Sequence, residues 1–167
     1  MKRMLLLRHA KSSWDDPGLP DHDRPLAPRG HRAAERMAEY LRSNAPAVDL
    51  VLCSSALRTR ETLERMTDAF GDAEIVLEDD LYGATDHELL DRLRRVAEGY
   101  EIVALIGHNP GIQDLGMALA GSGEDLDRMR AKFPTGALAV LEFDGPWRRL
   151  EPGGARLASF VTPKDLG

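Results

Sequence analysis

Cysteine is close to absent from this chain: Cys53 is the only one in 167 residues. That excludes an intramolecular disulfide framework and fits a reducing compartment. Positive charge is in deficit, with 22 Lys and Arg against 28 Asp and Glu and a net charge of −6. Such a balance argues against a general binder of nucleic acid or of anionic membranes. Long apolar runs are missing as well. Met1-Lys2-Arg3 looks like the start of a signal peptide, but the apolar run behind it stops at Arg8, too short for a signal's hydrophobic stretch. Nothing approaches the roughly 18 apolar residues of a membrane span. Repeats, low-complexity tracts and interdomain linkers are also lacking. What remains is an ordinary composition, 43% hydrophobic and 30% charged, of a chain able to bury a substantial core. The expectation is a soluble, cytoplasmic protein with residues 1–167 in one domain.

Strand-like and helix-like segments alternate along it. Short apolar runs fall at 4–7, 50–53, 75–77 and 102–106. Between them, residues 29–43, 56–70, 86–97 and 110–120 carry apolar side chains at helical spacing, such as Met37, Ala38 and Leu41, or Leu89, Leu90 and Leu93. The short runs do not alternate with polar residues, so helices should cover both of their faces. This predicts a three-layer αβα sandwich on a mixed, mainly parallel sheet. The last quarter differs. Residues 138–143 read as a strand, Asp144-Gly145 as a turn, 147–150 as its hairpin partner, and 156–161 as a further strand. Residues 15–30, with four prolines, read as a surface loop leading into the first long helix.

Three of the apolar runs deliver reactive groups at their carboxyl ends. Residues 4–7 lead into Arg8-His9-Ala10. Leu50-Val51-Leu52 leads into Cys53-Ser54-Ser55 and then Arg58. Ile102 to Ile106 leads into Gly107-His108-Asn109-Pro110. Open α/β sheets keep their ligand sites at that edge. Two arginines and two histidines there suit a phosphate: guanidiniums for paired oxygen contacts, imidazoles for attack or proton transfer. Asn109 is a good helix cap and Pro110 suits the first helical position, so backbone N–H groups should point at the same rim. Each residue alone has a bland reading. Arg8 and His9 fit a solvated strand end, and Arg58 fits a surface pair with Glu61 or Glu64. The recurrence at three strand ends is what favours a site.

Leu7-Arg8-His9-Ala10, the segment Cys53 to Thr62, and Gly107-His108-Asn109-Pro110 together resemble the histidine phosphatase superfamily. Within it the chain is similar to the short bacterial phosphohistidine phosphatases of the SixA type, and the stretches Asp21–Gly30 and Lys132–Gly136 share that likeness. The resemblance implies a phosphoglycerate mutase-like fold. It implies that His9 is the nucleophile, carrying a phosphohistidine intermediate, with Arg8, Arg58 and His108 around the transferred group. Arg8, Arg58 and Asn109 are the expected substrate-binding residues, and no metal or other cofactor is expected. Chemistry agrees with these roles: a nucleophilic imidazole must be neutral, and neighbouring arginines disfavour its protonation. They also offset the charge spread over the phosphoryl oxygens. The residues by themselves leave His9 and His108 interchangeable.

Departures from the family pattern narrow the substrate. Asp15 falls where mutases place an asparagine that donates to phosphate. The family's acid belongs in the loop after the third strand, where Glu78-Asp79-Asp80 lies and Asp79 aligns best; the other reading is a solvated acidic turn. Phosphate leaving from an imidazole tolerates a missing acid. Only 15–30 and 121–135 are available to cover the pocket, and an open pocket admits a phosphate carried on another protein. The expectation is therefore a phosphatase acting on phosphohistidine in a protein. The alternatives are a phosphatase for small phosphate esters or nucleotide-like compounds, or a non-catalytic phosphate-binding module. Partners are accordingly a phosphorylated protein or a small phosphorylated substrate, and neither nucleic acid nor membrane.

Other residues invite rival readings. A cysteine-dependent phosphatase would need an arginine six residues after Cys53, where Thr59 stands, so Cys53 reads as a small apolar residue. Ser54 and Ser55 lack the elbow of a serine hydrolase. Asp21-His22-Asp23 lacks a second ligand cluster with zinc-like spacing and reads as a charged loop, and His31 and His87 read as surface residues. Gly121-Ser122-Gly123 lacks the dinucleotide fingerprint. Trp14 either lines the pocket mouth or anchors its loop.

Overall fold

Apolar side chains on both sides of β1 (Lys2–Arg8) explain the layering of the molecule. Met4 and Leu6 enter one core cluster, Leu5 and Leu7 the other, as alternate residues of a strand must. The computed structural model describes residues 1–167. Its strands are β1, β2 (Leu50–Ser54), β3 (Glu74–Glu78), β4 (Ile102–Gly107), β5 (Ala120–Ser122), β6 (Leu138–Phe143) and β7 (Ala155–Val161). They form one sheet in the order β3-β2-β4-β1-β6-β7-β5. β1, β2, β3 and β4 run parallel; β6 is antiparallel to β1 and β7, and β5 is parallel to β7. Helices α1 (Pro28–Asn44) and α2 (Leu57–Phe70) cover one face through Met37, Leu41, Leu63 and Met66. On the other face lie α3 (Asp86–Arg94), α4 (Gly111–Leu119) and α5 (Leu126–Ala131), through Leu89, Leu93, Leu115 and Met129. This is the predicted αβα sandwich with a mixed, mainly parallel sheet.

Four details depart from the sequence reading. Residues 147–149 form a 3-10 turn, not a returning strand, and the hairpin partner of β6 is β7. Trp147 is the reason: its ring is fully buried against Phe143 and its indole N–H donates to the Tyr100 carbonyl at 2.7 Å, which pins the segment across the core. β3 is an edge strand whose Ile75 and Leu77 are 43% and 51% exposed, so its two faces are not both covered. Finally, β5 and α5 lie in a stretch without strong periodicity. Helix α4 begins at Gly111, and Pro110 rather than Asn109 holds its cap position.

Candidate active site

Strand register assembles the site. Arg8 is paired with Gly107 across β1 and β4, and Cys53 with Ile106 across β2 and β4. Continuing by one residue puts His9, Ser54 and His108 at the carboxyl ends of three adjacent parallel strands. The His9 N–H donates to the Gly107 carbonyl at 3.1 Å, and the two imidazole centroids lie 5.2 Å apart. Arg8 comes from the end of β1. Arg58 comes from the first turn of α2, which starts just past β2. It is buried, and its charge depresses the protonation of Arg8, His9 and His108 alike.

The loop between β1 and α1 closes over this edge, and α2 holds both of its ends. Thr62 Oγ1 accepts from the Ala10 N–H at 3.0 Å, and Glu61 accepts from the Leu26 N–H at 2.8 Å. Glu61 thus serves the loop and not Arg58. Inside the loop, the buried Arg24 guanidinium donates to the carbonyls of Ser13, Asp16 and Leu19 and lies 3.7 Å from the Trp14 ring centre. Trp14 therefore anchors the loop, while its outer side stays exposed. The loop returns to the site at Asp21. Arg58 Nη1 donates to the Asp21 carbonyl at 2.7 Å and Nη2 to its carboxylate at 3.0 Å. The same carboxylate accepts from the Tyr82 hydroxyl at 2.6 Å.

Tyr82 belongs to the turn after β3. Its ring packs edge-on against His108 and His22, with centroids 5.5 and 4.9 Å away. A close approach sets this loop: a Cβ on Gly111 would fall 2.3 Å from the Ala84 carbonyl, so the start of α4 and the Tyr82 loop touch only because residue 111 is glycine. Asp21, His22 and Tyr82 are not among the residues that the sequence marks for the site. Asp21 and His22 stood in plain view inside the Asp21–Gly30 stretch of the family likeness; Tyr82 had no signal of its own.

Hydrogen bonds fix the two imidazoles differently. His9 Nδ1 lies 2.8 Å from the Ala10 carbonyl, which can only accept, so Nδ1 carries the proton and Nε2 keeps its lone pair. Burial, more than the arginines, lowers the His9 pKa to about 4. Burial and then His9 and Arg58 lower that of His108 to about 3. Both rings are neutral near pH 7. His108 Nε2 lies 2.8 Å from Ser54 Oγ, which also accepts from the Ala56 N–H; a hydroxyl can donate or accept here, so this contact suits either His108 tautomer. His108 Nδ1 is buried with no partner, and so is Arg8 Nε. Arg8 Nε is necessarily a donor, and His108 Nδ1 is one in the tautomer whose Nε2 accepts from Ser54; donors left without a partner in an Arg/His cluster suit the oxygens of an anion. The Asp21 carboxyl is held below its ordinary range by the Tyr82 hydroxyl and by Arg58, so it is an anion. The cluster nets one positive charge: two arginines, one carboxylate, neutral imidazoles.

The remaining sequence candidates fall elsewhere. Asn109 turns its amide inward: Nδ2 donates to the Phe133 carbonyl at 3.0 Å and Oδ1 accepts from the Gln113 N–H at 3.3 Å. Phe133 also receives Arg8 Nη1 at 2.9 Å, so Asn109 and Arg8 share one brace. Asp79 lines a separate groove of about 710 Å3 with Glu78, Asp80, Glu88 and Asp91. Cys53 is fully buried, and burial pushes its thiol up to about 12, far from a thiolate nucleophile. Arg60 reaches the site only at one remove, donating to the Ser55 carbonyl at 2.9 Å.

Residues 4–84 match the profile of the histidine phosphatase superfamily, branch 1. An uncharacterized protein of Mycobacterium tuberculosis is 43% identical over 162 residues, covering 95% of this chain and all of its own. Two solved structures align along almost the whole length. A protein from Nakamurella multipartitia, provisionally named phosphohistidine phosphatase SixA, is 34% identical with a TM-score of 0.84, covering 97% of this chain and 96% of its own. Its counterpart from Agrobacterium tumefaciens, with the same provisional name, is 35% identical with a TM-score of 0.83, covering 97% and 98%. The chain belongs to the histidine phosphatase superfamily. It is an enzyme of the phosphatase class, with the fold of the phosphoglycerate mutase-like members. No helix is long and apolar enough to cross a membrane.

Proposed function

We propose that this histidine phosphatase removes phosphate from phosphohistidine carried on a protein, without a metal, through a covalent intermediate on His9. His9 Nε2 attacks phosphorus in line, and the bond to the leaving nitrogen breaks as the new P–N bond forms. Water then attacks the phosphorylated His9, releasing inorganic phosphate and returning the lone pair to Nε2. Arg8, Arg58 and the His108 Nδ1 proton lie around the transferred oxygens and offset the charge that grows on them. In the tautomer whose Nε2 accepts from the Ser54 hydroxyl, His108 carries that proton on Nδ1.

One observation carries the choice of substrate. The carboxylate joined to the cluster, Asp21, is held as an anion by Arg58 and Tyr82 and has no proton to give. An alkoxide must be protonated as its bond to phosphorus breaks, whereas a departing imidazole needs little help. A site without a protonated acid thus suits a nitrogen leaving group over an alkyl ester. The named phosphohistidine phosphatases among its structural relatives support the same reading, and a cytoplasmic protein substrate fits it. The deciding experiment compares kcat/KM on a phosphohistidine peptide with that on a phosphoserine peptide of the same sequence. A large excess for phosphohistidine is the expected result. Equal rates, or faster cleavage of small alkyl phosphates, would favour the ester phosphatase instead.

A further inference from the structure

The wall that braces Arg8 has a second face. Residues 133–136 join α5 to β6. Toward the site, the Phe133 carbonyl accepts from Arg8 and Asn109, and the Gly136 N–H donates to the carbonyls of Arg8 at 3.1 Å and His9 at 2.9 Å. Away from it, Pro134 and Thr135 line an open groove of about 530 Å3. Pro163 and Lys164 form its far bank, with Lys132 at its near end. Gly136 lets the banks meet: its φ is +76°, and a Cβ there would lie 2.9 Å from Pro163 Cγ. The groove therefore begins one chain's thickness from the backbone of His9.

Its charge runs against that of the molecule. Arg128, Lys132 and Lys164 line it, and no carboxylate does. Arg128 is already committed to Asp165 at 2.7 Å and Asp125 at 3.5 Å. Lys132 and Lys164 are exposed and take part in none of the ion pairs of the structure. Two uncommitted ammonium groups beside an apolar floor of proline rings and Phe160 offer a broad surface, not a pocket for one phosphate. A polyanion such as nucleic acid would meet too few cations here, and the chain's net charge of −6 would repel it.

We propose that this groove docks an acidic face of the phosphorylated protein while its phosphohistidine reaches His9. The proposal rests on the reading of the substrate given above. Rim charges of this kind act mainly on encounter rate and on salt dependence, and they reject partners of the wrong sign. The probes are three synthetic peptides of equal length, each with one central phosphohistidine, flanked by Glu, by Gln or by Lys. At low ionic strength kcat/KM should rank Glu over Gln over Lys, with about a tenfold span that shrinks as salt rises to about 0.5 M. The Lys132→Gln/Lys164→Gln double variant should flatten the ranking, and Lys132→Glu/Lys164→Glu should invert it. Hydrolysis of the free phosphohistidine amino acid should stay unchanged in both. If wild type cleaves all three peptides equally, or the Gln variant keeps the ranking, the docking surface is wrong and the substrate reading stands. If wild type cleaves none of them yet hydrolyses an aryl phosphate, the substrate reading fails, and the docking proposal with it.

Discussion

His9 and His108 end neighbouring parallel strands in matched register, with ring centres 5.2 Å apart, and their hydrogen bonds engage opposite nitrogens. The Ala10 carbonyl leaves His9 with a free Nε2 lone pair. Ser54 engages the Nε2 of His108 and leaves its Nδ1 without a partner. His9 can attack through Nε2, and His108 can donate from Nδ1 in the tautomer whose Nε2 accepts from Ser54. The symmetry that the sequence leaves open is thus broken by two second contacts, each from a residue near the end of its own or an adjacent strand.

The asymmetry predicts distinct phenotypes. Rapid quench during turnover of an aryl phosphate should trap acid-labile, base-stable phosphate on His9. His9→Ala should form no adduct. His108→Ala should still form one, slowly, because it loses a donor and not the nucleophile. Cys53→Ser should keep its activity, since the thiol is buried and fully protonated at neutral pH. An adduct on His108 would reverse the assignment.

A second prediction concerns pH. Both imidazoles have pKa values lowered by burial, to about 4 for His9 and about 3 for His108, against about 6.5 in an exposed histidine. Since the nucleophile must be neutral, the acid limb of kcat/KM should fall near pH 4 and not near 6.5. Stability carries the same sign. As pH drops below about 6.5, the unfolded chain takes up protons that the folded chain refuses, so folding weakens progressively toward pH 4. Thermal melts of wild type and His9→Ala across that window check it: the variant should lose less stability on acidification. An acid limb at pH 6 to 7 would mean that the pair is wetter and more easily charged than this structure has it.

What the sequence made legible follows physical rules that act locally. Apolar runs ending in Arg8-His9, Cys53-Ser54 and Gly107-His108 mark strand ends, because three or four buried residues in a row have few other homes. Parallel pairing then brings those ends together. Asp21, His22 and Tyr82 obey no such rule, for they arrive on loops whose path depends on Arg24 bracing its own loop and on Glu61, Thr62 and Gly111 acting on residues distant in sequence. The buried Trp147 likewise turned an expected strand into a 3-10 turn through one long-range bond to Tyr100. Ile75 and Leu77 read as core because a short apolar run looks the same at the edge of a sheet as at its centre.

The two arginines of the α2 segment should separate cleanly. Arg58 lies in the cluster with Arg8, His9 and His108, so on the proposed mechanism Arg58→Ala should cost on the order of 10²–10³ in kcat. Arg60 supports only the Ser55 carbonyl, and Arg60→Ala should cost far less. Asp21→Asn offers a finer test. It removes a negative charge beside the phosphate and loosens the grip on Arg58. The KM for phosphorylated substrates should hold or fall while kcat drops. A rise in KM with kcat intact would make Asp21 a substrate contact and not a positioning residue.

The last prediction concerns the leaving group. Asp79 lies along a groove shared with Glu78, Asp80, Glu88 and Asp91, whereas the carboxylate at the cluster is Asp21, which Arg58 and Tyr82 keep ionised. If no carboxyl group delivers a proton, catalysis depends on how well the leaving group bears its own charge. Rates on aryl phosphates should then fall steeply as the phenol's pKa rises, and alkyl phosphates should be nearly inert. Asp79→Asn should leave both the slope and the rate on phosphohistidine peptides as they are in wild type. Measuring kcat/KM for wild type and variant across phenols of graded pKa decides the matter. A steeper slope in Asp79→Asn, with loss confined to poor leaving groups, would make Asp79 the acid and require its loop to swing toward His9 when substrate binds.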